Sequence, residues 1–157
     1  MARVFRDLRG ALTLAELDRL PFACRRVFVL HDIPAGRTRA GHASRTQHRY
    51  VVIVRGRAAL VLDDGHESMR LELMAGDGVH IPPYTWNELE ALDDGLVVLV
   101  CASGDYDPGD YIRDRAAMST AVSAAQTTSI SSAESQCPKG RLMAWLARSS
   151  AAGNRPG

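Results

Sequence analysis

The chain has 157 residues, 46% of them hydrophobic and 24% charged, with a formal net charge of +1. That length leaves room for one domain with a real core and little more. A near-zero charge with interspersed signs speaks against nucleic acid, which needs a concentrated basic face, and no apolar run approaches membrane-spanning length.

The N-terminus mixes Arg3, Arg6, Asp7 and Arg9 and lacks the apolar block of a signal peptide. Of three cysteines, Cys24 and Cys101 sit in apolar runs, where a reduced thiol behaves as a small hydrophobe, and Cys137 lies far down the chain. A reducing cytoplasm is the expected setting. From Arg25 onward, short β-branched runs alternate with turn residues. The spacing predicts strands over Arg25–His31, Thr38–Ser44, Tyr50–Arg55, Ala58–Asp63, Ser68–Leu73, Val79–Pro82, Trp86–Leu92 and Leu96–Cys101. Their separators, such as Pro34–Gly36, Gly56, Asp64–Gly65 and Asp93–Gly95, supply the free or pre-set dihedrals that tight turns require. Strands this regular with no long helix between them predict an antiparallel sandwich or barrel.

Past Cys101 the pattern changes. Asp107 followed by Pro108, Gly109 and Asp110 reads as a capped helix start, with the helix running to about Met118. Ser119–Ser135 is a Ser/Ala/Thr tract with too few large apolar residues to offset ordering entropy. The expected organisation is a domain over residues 1–118 and a low-complexity, disordered tail over 119–157. Within that tail, Lys139–Arg148 has the pattern of a short helix.

Two motifs match the cupin barrels. Gly36 is followed by five residues and then His42-Ala43-Ser44, with Arg49 where a cupin glutamate would fall and Gly56 closing the motif. Gly76-Asp77 leads to Pro82, and Asn87 stands where the second motif ends in histidine. The resemblance implies an all-β cupin jelly roll, a double-stranded β-helix, with a short C-terminal helix. Metal-binding cupins present three imidazoles and a carboxylate, whereas the matching positions here are His42, Ser44, Arg49 and Asn87. One imidazole beside a guanidinium is a poor divalent-cation site. Neither metal nor cofactor is expected, and an inward histidine with cationic neighbours suits an anionic organic ligand.

Further segments resemble the sugar-nucleotide 3,4-ketoisomerases, or WxcM-like proteins. Arg39-Ala40-Gly41-His42-Ala43-Ser44 is similar to their Arg-Gly-x-His-Ala-His stretch, and Arg9-Gly10-Ala11-Leu12 to their Arg-Gly-x-Leu. Pro21-Phe22 with Arg25-Arg26-Val27-Phe28, Ile81–Trp86 and Asp105–Asp114 match other segments in order, over about residues 7 to 118. The resemblance implies an isomerase that moves a ketone from carbon 4 to carbon 3 of a dTDP-linked 4-keto-6-deoxy sugar, working as a homodimer without metal. The family's second pocket histidine falls on Ser44.

Ketone migration needs a group that removes a proton beside the carbonyl and returns it to the next carbon. Histidine does both near neutrality. His42 is the candidate base, with Ser44 on the same strand face and Arg39 as an oxyanion or diphosphate partner. Arg9, Arg26, Arg49, Trp86, Tyr111 and Arg113 are candidate substrate-binding residues, with Trp86 reading equally as core filler where the strands leave the double proline. Tyr111 and Arg113 also have a structural reading, in helix packing and an ion pair with Asp110 or Asp114. His31 and His80 read as surface or strand-end residues, His48 as a turn residue and His66 as solvated. Two competing functions are a sugar-nucleotide-binding module that lost its chemistry, for which Ser44 speaks, and a 3,5-epimerase on the same substrate.

Overall fold

A computed structural model describes residues 2–118; the expected tail and its Lys139–Arg148 helix lie outside the described residues. Eleven strands occur among the described residues: β1 (Ala2–Asp7), β2 (Gly10–Ala15), β3 (Arg26–Ile33), β4 (Thr38–Ser44), β5 (Arg49–Arg55), β6 (Arg57–Asp63), β7 (Ser68–Met74), β8 (Gly78–Ile81), β9 (Trp86–Ala91), β10 (Leu96–Ala102) and β11 (Tyr111–Ile112). The predicted strands are β3 to β10, each within a residue or two. β1 and β2 form a separate antiparallel hairpin that the residue pattern did not announce.

A four-stranded sheet in the order β3-β10-β5-β8 packs against a five-stranded sheet in the order β11-β4-β9-β6-β7. Ile53, Leu60, Leu96 and Val98, drawn from both sheets, are 0–1% exposed and join Val51, Val79, Leu89 and Val100 in one core. Each such side chain contributes about 1.5–3 kcal/mol by leaving water. The two sheets and their enclosed core are the jelly roll expected from the motifs.

The outer face of the four-stranded sheet is covered as well. Tyr50, Val52 and Cys101 pack there with Ala2, Leu20, Phe22 and Cys24 of the N-terminal segment. Gly78 is what lets Tyr50 lie flat: a Cβ at Gly78 would stand 2.8 Å from the Tyr50 Cζ. The Gly78→Ala variant is therefore expected to lose about 1–3 kcal/mol, the ordinary range for overpacking, read as a fall in urea midpoint at unchanged m-value.

The expected helix from Asp107 is corrected. Asp107 does accept the Gly109 N–H, but only a 3-10 turn over Pro108–Asp110 follows. The chain then joins the sheet as β11, and helical turns occupy only 115–118. The cause is tertiary. Asp110 is buried, and its Oδ1 accepts both the backbone N–H and the hydroxyl of Thr46, which lays Tyr111 and Ile112 along β4.

Candidate active site

The inner face of the barrel is apolar along most of its length and polar at one end. On one sheet, Ala102 of β10 is the register partner of both Arg26 on β3 and Arg49 on β5, so a lone methyl separates two guanidinium stems. On the other sheet His42 of β4 stands opposite Asn87 of β9, and Ser44 opposite Tyr111 of β11. Directly opposed residues share a face, and contacts across the barrel bring the two rows together.

A bulge aims His42. Register shifts between Ala40 and His42, and both Ala40 (φ 69°) and Gly41 (φ 68°) take left-handed backbone. A non-glycine residue there is under local strain, of a kind that clusters at functional sites. Without the extra residue, strict alternation would turn His42 away from the face that Leu89 and Asn87 occupy.

Arg49 is the centre of the cluster and is 5% exposed. Its Nη1 donates to His42 Nε2 at 2.5 Å and its Nη2 to Ser44 Oγ at 2.5 Å. A guanidinium carries only donors, so Nε2 of His42 is the lone-pair nitrogen. The ring proton sits on Nδ1, in line with the hydrogen bond that His42 makes to the Ala40 backbone. Burial, and then the nearby Arg49 charge, push the His42 pKa down to about 4. At neutral pH this imidazole is uncharged with its basic lone pair facing the cluster. Asn87 Nδ2 donates to the His42 carbonyl at 2.7 Å and fixes the strand beside it.

Aromatic and cationic groups surround this pair. Tyr111 meets the His42 ring edge-on at 4.6 Å between centroids. The Arg49 and Arg113 guanidiniums each lie 5.1 Å from the Tyr111 ring centroid. Arg26 lies over Phe28 at 5.4 Å and over Tyr106 at 5.6 Å, and donates to Gln47 at 3.2 Å. Buried donors of these cations are left over: Nε and Nη1 of Arg26, and Nε of Arg49, have no hydrogen-bond partner among the described residues. Unpaired buried donors on charged groups are costly. An anion can satisfy them. No three His, Cys, Asp or Glu side chains among the described residues group to hold a metal ion.

Other candidates fall elsewhere. Of the two readings of Trp86, the packing one describes its place: alternation with Asn87 turns it to the outer face, where it packs with Ala43, Ile112 and Met118 and donates to Glu88 at 2.8 Å. It is filler beneath the C-terminal segment. Arg9 sits at the exposed tip of the β1–β2 hairpin, ion-paired with Asp7, and is not brought to His42. Arg39, opposite Leu89, is on the His42 face of β4 because of the bulge, but is exposed. Arg113 covers the Tyr111 ring, and the partner of the Asp110 carboxylate is Thr46.

His80 is also corrected. It is 4% exposed, on the outer face of β8, because the segment carrying Phe22 covers that face. Its Nε2 lies 3.0 Å from Nδ1 of His48, and the two rings stack at 5.2 Å with Phe22 against both. The missed signal was the apolar Val79 and Ile81 on either side of His80, which face the core and force His80 outward under whatever covers the sheet. Burial, and then His48, lower the His80 pKa to about 4. The unfolded chain binds these protons near the ordinary 6.5, and the folded chain refuses them until about pH 4. Stability is thus full above 6.5 and falls as pH drops through that window. Melting temperature is expected to be flat from pH 7 to 8 and to fall from 6.5 to 4, with a shallower fall in His80→Gln.

Comparison with known proteins identifies the family of the chain. The family model described as "FdtA: WxcM-like, C-terminal" matches residues 1–123. The chain is 31% identical over 109 residues to the TDP-4-oxo-6-deoxy-alpha-D-glucose-3,4-oxoisomerase of Aneurinibacillus thermoaerophilus, covering 68% of this chain and 78% of that protein. Among solved structures it is similar to QdtA, a sugar 3,4-ketoisomerase of Thermoanaerobacterium thermosaccharolyticum in complex with TDP. That match has a TM-score of 0.72 and 28% identity, over 79% of this chain and 92% of that one. It is similar as well to the WlaRB TDP-quinovose 3,4-ketoisomerase of Campylobacter jejuni, with a TM-score of 0.69 and 29% identity, over 76% of this chain and 93% of that one.

Proposed function

This chain belongs to the FdtA family of WxcM-like C-terminal domains and is an enzyme of the sugar 3,4-ketoisomerase type, and from that premise we propose that it moves the keto group from carbon 4 to carbon 3 of a dTDP-linked 4-keto-6-deoxyhexose. The observation that carries the reading is the uncharged His42 imidazole, its Nε2 turned into a cluster of guanidiniums with unspent donors. The base takes the proton from carbon 3. The electrons of that C–H bond form the C3–C4 double bond, and the carbon 4 carbonyl becomes an oxyanion. The proton returns from His42 to carbon 4 while the hydrogen of the 3-hydroxyl passes to the oxygen on carbon 4, leaving a 3-ketone. Arg26, Arg49 and Arg113 supply the positive field that a diphosphate and an enediolate require. Arg39, exposed on the same face of β4, is proposed as a further diphosphate partner, and Ser44 as a hydroxyl donor.

One observation favours the inert binding module instead: Ser44 stands at the second histidine position and the lone pair of His42 is occupied by Arg49. Incubation with dTDP-4-keto-6-deoxyglucose in deuterated buffer, followed by NMR, separates the readings. A 3-ketone with deuterium at carbon 4 is expected. Exchange at carbon 5 would instead identify a 3,5-epimerase, and tight binding without exchange the inert module.

The proposal includes a homodimer in a reducing cytoplasm. Phe5, Leu12 and Leu14 of the hairpin, Leu8 at its turn, and Val27 and Val29 on the outer face of β3 are exposed apolar side chains of the kind an interface covers. Cys24 and Cys101 are free thiols. Light scattering on the purified protein tests the assembly state.

A further inference from the structure

We infer that Arg49 and Ser44 act as one unit that replaces a second histidine: Ser44 clears and anchors the space into which Arg49 reaches, and Arg49 caps Nε2 of His42 until a keto sugar takes over its donors. This inference rests on the isomerase reading, and explains how a site with one imidazole serves it.

The geometry has three parts. Serine is small enough at position 44 for a guanidinium to enter, and its oxygen receives Nη2. The other terminal nitrogen, Nη1, meets His42. The two are the adjacent arms of a planar fork, the arrangement that matches two neighbouring oxygens on a ligand. A 4-keto-3-hydroxy sugar presents such a pair on carbons 4 and 3. When those oxygens accept Nη1 and Nη2, the lone pair of His42 is released beside carbon 3, and the fork stabilises the enediolate as charge develops over both oxygens. Base release and oxyanion stabilisation then follow from one movement of Arg49, so the base is uncovered only with substrate present.

Groups facing His42 are few. Arg49 comes from β5, Tyr111 from β11 and Arg113 from the residues after it, with neutral Asn87 from β9 and Ser44 on its own strand. Arg49 in turn feels Tyr111, Arg26 and Asp110. Removing the Arg49 charge takes away the nearest cation and the hydrogen bond that opposes protonation of Nε2.

The test pairs ligand-free titration with turnover. In wild type the His42 ring, followed by nitrogen-15 NMR, is expected to stay uncharged on its Nδ1–H tautomer down to about pH 4. In Arg49→Met its midpoint is expected to move upward toward 6.5, and the acid limb of kcat/KM with it. On dTDP-4-keto-6-deoxyglucose, Arg49→Met is expected to lose about 10- to 100-fold in kcat, the size of one oxyanion donor or somewhat less. Arg49→Lys keeps the charge without the fork, and is expected to hold the low midpoint while recovering only part of kcat. Wild-type kcat and an unmoved His42 midpoint in folded Arg49→Met would overturn the inference, as would full kcat in Arg49→Lys. No turnover by wild type would overturn the isomerase reading, and the release step with it; the His42 titration would then decide the resting cap alone.

Discussion

His42→Asn is expected to lower kcat on a dTDP-4-keto-6-deoxy sugar by about a hundred- to ten-thousandfold, the range for removing a general acid–base. Asparagine is polar but its amide reaches only as far as the Nδ1 position, so the acceptor that Arg49 Nη1 uses is lost while Ser44 Oγ still receives Nη2 and keeps the guanidinium in place. Asparagine has no titratable nitrogen, so neither proton transfer survives. Binding depends on other groups, chiefly the guanidiniums, and dTDP affinity is expected to change by no more than a few-fold. Steady-state kinetics with calorimetric binding of dTDP checks both halves. A kcat within tenfold of wild type would remove His42 from the mechanism; a collapse in affinity would reassign it to binding.

Arg26→Met is expected to weaken dTDP binding by about 10- to 100-fold, since hydrogen bonds from a charged group to an anion are worth about 1.5–3 kcal/mol. Methionine retains much of the side-chain volume against Phe28 and Tyr106. The loss falls on KM with kcat little changed, because Arg26 is on β3, across Ala102 from the Arg49 that holds the base. Stability moves the opposite way. Arg26 is half-buried with two buried donors that have no partner among the described residues, and replacing them with an apolar side chain of similar size removes that desolvation cost. A melting temperature equal to or above wild type, with affinity lost and a weaker salt dependence of binding, is the combined result expected. A variant that binds dTDP normally would place the diphosphate elsewhere.

Much of the barrel was legible because its signals are local. Period-2 alternation and turn residues locate β3 to β10 within a residue or two, since each strand buries one face against the same core. The hairpin β1–β2 was not, because its alternation is weak and much of its apolar surface is exposed. The short C-terminal helix is present over residues 115–118 but does not start after Asp107, for the same kind of reason in reverse. The cap is real, but the burial of Asp110 against Thr46 and the pairing of Tyr111 with Ser44 outweigh helix propensity.

In the site, spacing alone placed His42 and Ser44 on one face, because a strand leaves no other choice for residues two apart. The motif also singled out Arg49 and Asn87 as neighbours. What Arg49 does there is a tertiary fact. Seven residues separate it from His42 around a turn, and only the closing of one sheet on the other brings its fork onto Nε2 and Oγ. Trp86 was left open and His80 misread as a surface residue because a side chain's face follows from alternation, but what covers that face comes from remote segments, the C-terminal turn for one and Phe22 for the other. Residue type and period thus located the strands of the barrel, and alternation put His42 and Ser44 on one face of it. Packing between distant segments decided which nitrogen of that imidazole is basic and which cation holds it, because charge, burial and hydrogen bonding act through space and not along the chain.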